Sequence, residues 1–350
     1  MRHHVVLDTP LDLAVLDQDV RTGVRPAFAL VEFARQVDAV IHQPQGDRPT
    51  ALDRVRARLI GAPQHWALAR RLVSRLSAQD IVFCMGEQSG VPVAALCGGR
   101  RGGPRVAVFV HHVDRPRARL ALRLYRLGRR VDLFLACARP QLEFVGGWLG
   151  LPNSHVAWLP QPVDTAFFTP GASPEPKPRP LLVSAGREQR DYATLAHAVA
   201  GLDVDVHMTG FSQSAARTRR TAVPRAEVTT AAPVYHSWPD LRALYHAADL
   251  VIVSLHDNGY AAGVQAVLEG LACRRPVIVT RTRGLVDYWM ADGITPVPPG
   301  NRVALREAIV GLLRQPKLAA AQAERGYAWV QARHTQPHYI AALRAALVRW

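Results

Sequence analysis

Glu269 is the residue with most chemistry to explain, because the segment holding it, NGYAAGVQAVLEGLACRRPVIVT (residues 258–280), is otherwise largely apolar. The spacing predicts a helix opening near Ala261, where Ala261, Ala262 and Gly263 leave the first turn almost bare and Val264 follows as a further donor-binding candidate. A bare helix start offers free N–H groups and the positive end of the dipole, which attract phosphate. Glu269 lies seven residues beyond Ala262, near the same face. A carboxylate there would repel phosphate, but it can accept hydroxyl hydrogen bonds from a ribose lying along the helix. Together these features suit a nucleoside diphosphate. The structural alternative, equally open on this segment alone, is a small-residue packing seam whose buried Glu is satisfied by an Arg.

Other candidates gather at the ends of apolar runs. LLVSAG finishes on Gly186 and is followed by Arg187 and Arg190. Two guanidinium groups there could neutralise a diphosphate leaving group with bidentate hydrogen bonds. Their alternative is a solvated loop paired with Glu188 and Asp191. RVAVFV finishes at His111 and His112, and either imidazole could reach a substrate or simply be structural. Asp8 and Thr9, Glu87 and Gln88, Gly210, Asn258 and Tyr260 stand at or beyond other such ends.

The elements that must position these residues follow from the same runs. VVLD, VDAVIH, DIVFC, RVAVFV, VDLFLA and HVAWLP precede TPGASPEPKPRP (169–180); LLVSAG, VDVHMTG, AEVTT, DLVIVSL and PVIVT follow it. Continuous Val/Ile/Leu strands separated by helical stretches predict parallel sheets covered on both faces. The proline-rich run cannot be helix or central strand and reads as a stiff linker. The expected fold is α/β, with two doubly wound Rossmann-like domains facing a cleft. Residues 1–168 form an acceptor-side domain completed by a C-terminal helix over 336–350, and residues 181–335 form a donor-binding domain. Ligands in such sheets bind beyond the carboxyl ends of the strands, which selects the residues above.

Composition narrows the class. The 350 residues suit two domains, and 49% apolar content is enough for two cores. Cys84, Cys97, Cys137 and Cys273 stand apart without a C-x-x-C pair, which argues for reduced thiols and against structural zinc. The start MRHHVVLD reads as a strand rather than a signal peptide, and no apolar run approaches the ~18 residues of a bilayer span. A cytoplasmic protein is expected, at most peripheral on the inner face of the membrane. The net charge of +15 invites a nucleic-acid reading. However, the only lysines are Lys177 and Lys317, so arginine-biased codon usage explains part of the excess. Nor do aromatics interleave with the arginines as stacking platforms require. No nucleic-acid partner is expected. The segment 116–131 is predicted as a basic amphipathic helix, with Leu120, Leu124, Leu127 and Val131 on one face and Arg119, Arg123, Arg126 and Arg130 beside it. It either packs on the core or lies on an anionic membrane surface.

Several segments in consistent order resemble family 4 glycosyltransferases, which have the GT-B fold. These are VSAGREQRDYATLAHA, WPDLRALYHAADLVIVSL, GVQAVLEGLACRRPVIVT and GLVDYWMADGITPVPPGNRVALREAI, with LGLPNSHVAWLPQPVDTAFFTP upstream. The resemblance covers roughly residues 130–350. It implies that Arg187 contacts the donor diphosphate and that Arg190 stands near the family's Lys. Glu269 matches the second carboxylate of the E-x7-E motif, which holds the ribose hydroxyls. Backbone N–H groups around Gly263 would serve the phosphates, and His111 or His112 would reach the transferred sugar.

Two departures stand out. Ala261 occupies the place of the motif's first Glu, so Asn258 and Tyr260 become candidates for sugar contacts. DTPLDL replaces the glycine-rich loop after the first strand, placing Asp8 and Thr9 on the acceptor side with Glu87 and Gln88. The implied reaction transfers a sugar from a nucleoside-diphosphate sugar to an unidentified acceptor, lipid-linked or a cell-envelope glycan, with retention. Nucleotide sugar is a co-substrate, and neither cofactor nor metal is expected. A nucleotide-sugar epimerase and a non-catalytic donor-binding subunit are the alternatives on the same scaffold.

Overall fold

The computed structural model describes residues 2–173, 177–209, 237–291 and 293–348. The chain forms two compact units, each with its own parallel sheet. The first comprises Met1–Leu16, Phe28–Pro160 and Tyr339–Trp350; the second comprises Asp17–Ala27 and Gln161–His338.

In the first unit, β1 (Arg2–Val6), β2 (Val40–His42), β3 (Asp80–Cys84), β4 (Arg105–Phe109), β5 (Leu133–Ala136) and β6 (Val156–Trp158) are ordered β2-β1-β3-β4-β5-β6. Every pairing is parallel. Val82, Val106, Val108 and Phe134 are fully buried, because helices cover both sheet faces. Each such side chain contributes about 1.5–3 kcal/mol relative to exposure. Helices α1 (Glu87–Cys97), α2 (Pro116–Leu124) and α3 (Arg139–Leu149) follow β3, β4 and β5.

The second unit has strands β7 (Leu181–Ala185), β8 (Asp205–Thr209), β9 (Leu250–Val253), β10 (Val277–Thr280) and β11 (Ile294–Val297), ordered β11-β10-β9-β7-β8. Helices α4 (Tyr192–Val199), α5 (Trp238–Ala247) and α6 (Val264–Ala272) surround the candidate donor residues. Strand β11 was not expected. Its four residues include Pro296, which removes a ladder donor and fits only beside a single neighbour, here β10. The expected strand AEVTT and the candidate Gly210 lie outside the described residues.

Two sequence expectations change, and the described part of the Pro-rich 169–180 segment is tied down by side chains of the second unit. His246 bonds the Thr169 carbonyl at 2.7 Å, Arg275 donates to Gly171, and Lys177 reaches Asp249 at 2.5 Å. A proline-rich backbone has few donors, so neighbouring side chains satisfy its carbonyls. The 116–131 segment is not one helix. It ends at Leu124, Arg126 takes left-handed φ 51°, and a short 3-10 turn covers Leu127–Arg129. The four apolar residues therefore divide: Leu127 and Val131 are buried, while Leu120 and Leu124 face outward at 55% and 58% exposure. Ala118, Ala121 and Leu122 take the core side instead. Finally, the helix holding Glu269 opens at Val264, not near Ala261, because Gly263 adopts φ +85° ahead of it.

The last helix, α7 (Gln336–Val348), carries buried Tyr339, Ile340 and Leu343. From Tyr339 onward it belongs to the first unit. Among the described residues no helix is long and apolar enough to cross a membrane.

Candidate functional site

The donor-side candidates meet at the carboxyl ends of β7 and β9. After Gly186 the chain turns back and runs antiparallel beside residues 254–256. Asp191 N–H donates to Ser254 O at 3.0 Å, Ser254 Oγ to Asp191 O at 2.9 Å, and His256 N–H to Gln189 O at 2.9 Å. Arg190 and Leu255 form an isolated bridge at the centre of this crossing. Asp191 then caps α4 by accepting from the Thr194 N–H at 3.0 Å.

That crossing decides what Arg190 does. Its side chain is only 5% exposed, with Nε and Nη2 donating to Ala185 O at 2.9 and 2.6 Å. The guanidinium lies between two glycines. A Cβ at Gly186 would overlap Nη2, and one at Gly263 would stand 2.8 Å from Nη1. Both glycines have positive φ, +111° and +85°, so sterics and backbone conformation demand the same residue type. Arg190 is thus a buried cation braced under the start of α6, not an outlying partner of Arg187. Arg187 itself is partly exposed, just beyond the β7 end.

No side chain caps the first turn of α6. Ala262 and Val264 are buried at 3% and 6% exposure. Glu269, one turn and a half further on, is 6% exposed, and the Tyr245 hydroxyl donates to its Oε2 at 2.9 Å. Burial pushes the Glu269 carboxyl up to about 8, although the Tyr245 bond and the charge of Arg190 both pull it down. Burial likewise raises the Tyr245 phenol well above its ordinary value. The structural alternative for Glu269 proposed an Arg partner; the direct partner is a tyrosine, with Arg190 acting through its field.

Tyr260 is only 6% exposed and its hydroxyl donates to Glu188 Oε1 at 2.8 Å, so it braces the 187–190 turn instead of standing open. Asn258 Oδ1 accepts from the Tyr260 N–H at 3.3 Å, and its carbonyl accepts from Gly284 at 3.0 Å. Gly284 packs so closely on Tyr260 that a Cβ there would overlap backbone. Asn258 and Tyr260 therefore shape the loop before α6.

The first unit has its own cluster beyond β1, β3 and β4. Glu87 opens α1 and its Oε2 accepts from His111 twice, from the backbone N–H at 2.9 Å and from ring Nδ1 at 3.3 Å. Burial alone would raise the Glu87 carboxyl, but the His111 contacts hold it down at about 2. The His111 side chain held in this way is 50% exposed. His112 pairs instead with Asp114 at 3.1 Å. Asp8 Oδ1 accepts from the Ser89 N–H at 2.9 Å, occupying the α1 start, and Gln88 Oε1 accepts from Gly61 N–H at 3.1 Å. Thr9 is exposed. His65 Nε2 lies 2.7 Å from the Asp8 carbonyl, while Nδ1 accepts from Ala62.

Nothing in the sequence marks Tyr245, Ser89 or His65 as partners of these groups. Tyr245 sits inside an ordinary helical repeat, WPDLRALYHAADL, where an aromatic at a core position carries no signal of its partner.

Residues 179–315 match the family described as Glycosyl transferases group 1. The second unit is a group 1 glycosyltransferase domain. No curated protein sequence matches the chain. Solved structures do. Sucrose-phosphate synthase from Thermosynechococcus elongatus superposes with TM-score 0.72 at 15% identity, over 99% of this chain and 98% of that one. The α,α-trehalose 6-phosphate synthase of Burkholderia multivorans gives 0.73 at 13% identity, over 99% and 98%. Anabaena HepE, solved with UDP and glucose, gives 0.68 at 14% identity, covering both chains fully. At these identities the likeness establishes the fold, which is GT-B. The glycosyltransferase domain contains the whole donor-side cluster, from Gly186 to Glu269.

Proposed function

We propose that this glycosyltransferase takes a nucleoside-diphosphate sugar as donor and binds it along the start of α6. The observation that carries the reading is the uncapped first turn of α6 above buried Arg190, with Glu269 on the same helix. The free N–H groups and the positive end of the helix dipole receive the diphosphate. Arg187, at the β7 end, supplies a full positive charge there. Glu269 accepts the ribose hydroxyls through the oxygen that Tyr245 leaves available.

Departure of the diphosphate builds negative charge while the anomeric carbon becomes cationic. A fixed helix terminus and arginines stabilise that charge without reorganising. On this reading no metal is required, and the leaving phosphate takes the proton from the acceptor hydroxyl as the new bond forms on the same face, giving retention. His111 is the imidazole assigned to the transferred sugar, since Glu87 orients it, whereas His112 is engaged by Asp114. Asp8, Glu87 and Gln88 organise the acceptor side through hydrogen bonds in the first unit, with exposed Thr9 beside them. The acceptor itself is unidentified. HepE has been solved with UDP-glucose, which supports a nucleotide sugar as the donor class.

Incubation with UDP-, GDP- and ADP-sugars, following nucleotide release, tests the proposal. Release from one donor that rises when an acceptor is supplied supports transfer. Sugar interconversion without release would indicate an epimerase, and stabilisation without turnover a binding subunit.

A further inference from the structure

The first unit contains a second cationic site, at the opposite ends of its strands from His111. A cavity of 620 Å³ opens where the turns entering β5 and β6 meet the ends of α2 and α3. Its lining includes Arg123, Arg126, Arg129, Trp148, Gly150 and His155, and no acidic side chain is among the described lining residues. Because every strand runs the same way, these turns stand at the amino ends of β5 and β6, away from the carboxyl ends that carry Glu87 and His111.

The cavity is built rather than incidental. The Arg123 guanidinium lies 3.7 Å from the Trp148 ring centroid, and Arg119 stacks on Phe144 and Trp148 at 4.9 and 5.6 Å. Such stacking restricts long arginine side chains in advance of any ligand, lowering the ordering cost of binding. Arg126 holds φ 51°, a conformation disfavoured for a residue with a Cβ, and this turn separates α2 from the next 3-10 turn. The carboxyl-terminal ends of α2 and α3 oppose an anion here, each with about half an elementary negative charge. Three guanidinium groups outweigh the two helix ends together. Planar guanidinium forks match phosphate oxygens bidentately, so the chemistry recognised is a phosphoryl group. Outward-facing Leu120 and Leu124 on α2 place apolar surface on the helix that also carries Arg123.

We infer that this cavity binds a phosphomonoester or diphosphate group, distinct from the donor site and borne either by a small molecule or by a lipid whose chains meet Leu120 and Leu124. The test compares the full-length protein with the double variant Arg126→Gly and Arg129→Gln. Glycine adopts the backbone of position 126 without strain, so folding is preserved. Two probes are used at low salt: inorganic phosphate, followed by calorimetry, and phosphatidylcholine vesicles doped with phosphatidic acid, followed by sedimentation. The expected result is binding of at least one probe, weakened about ten- to a hundredfold in the variant. Phosphate binding without vesicle binding identifies a soluble ligand; vesicle binding lost in the variant identifies a lipid-borne one. The inference is overturned if the wild-type protein binds neither probe, or if the variant binds as well as the wild type. The melting shift produced by UDP should be equal in both proteins, so failure of the donor reading is seen separately.

Discussion

The hydroxyl of Tyr245 donates to Oε2 of Glu269 at 2.9 Å, and both side chains are buried. This contact fixes one oxygen of the Glu269 carboxyl. It also joins α5 to α6, so the acid's orientation depends on a residue 24 positions earlier in the chain.

Replacing Glu269 with Gln tests that arrangement directly. The carboxyl, raised to about 8, is largely protonated at neutral pH, so the amide should change stability by less than about 1 kcal/mol. Nucleotide affinity should fall about tenfold or more, since an amide cannot release a proton on binding to become a charged acceptor. Urea unfolding and calorimetric titration with UDP separate the two effects. Unchanged affinity and turnover would remove Glu269 from the donor site.

Affinity for an intact nucleotide sugar should rise with pH towards about 8 and level off above it. Ribose hydroxyls donate to the carboxylate, so binding to the protonated free protein must release a proton. The linkage for folding has the opposite sense. The folded value is raised, so this group's contribution to stability is complete below the ordinary carboxyl range and is lost as pH rises through about 8. Tyr245→Phe removes a bond that lowers the value, and it should move the affinity curve to higher pH. Calorimetry in two buffers of different ionisation heat measures the proton count.

Gly263→Ala should cost about 1–3 kcal/mol, because the residue holds φ +85° and a Cβ would crowd Arg190 and Val253 at 2.8 Å. Chemical denaturation measures the loss. A neutral effect would mean that Arg190 relaxes easily and that the glycine cradle is not needed.

Glu87→Gln should lower the pKa of His111 and reduce transfer, and NMR titration of the ring reads the first effect. The Glu87 carboxyl is held down at about 2, so its contribution to stability is present above the ordinary carboxyl value and is lost as pH falls through about 2. The variant should therefore be less stable than wild type at neutral pH, and the difference should close in acid. An unchanged His111 titration would mean the pair is incidental.

Ten of the eleven described strands were legible as Val/Ile/Leu runs, because burial on both faces leaves an unbroken apolar signature. Strand β11 was hidden by Pro296, whose missing N–H is harmless beside one neighbour. The basic segment misled because periodicity extends straight through Arg126, while the backbone turns there.

The sequence by itself determined the α/β class and marked Glu269 as a residue needing explanation, since a lone acid in an apolar helix is unusual at any tertiary arrangement. Tertiary structure alone decided how the polar groups pair. Arg190 goes beneath α6 between Gly186 and Gly263, Tyr245 reaches Glu269, and Glu87 takes His111 rather than His112. Periodicity records which face of an element is buried, but a hydrogen bond between distant elements depends on angles and distances that only the packed chain sets.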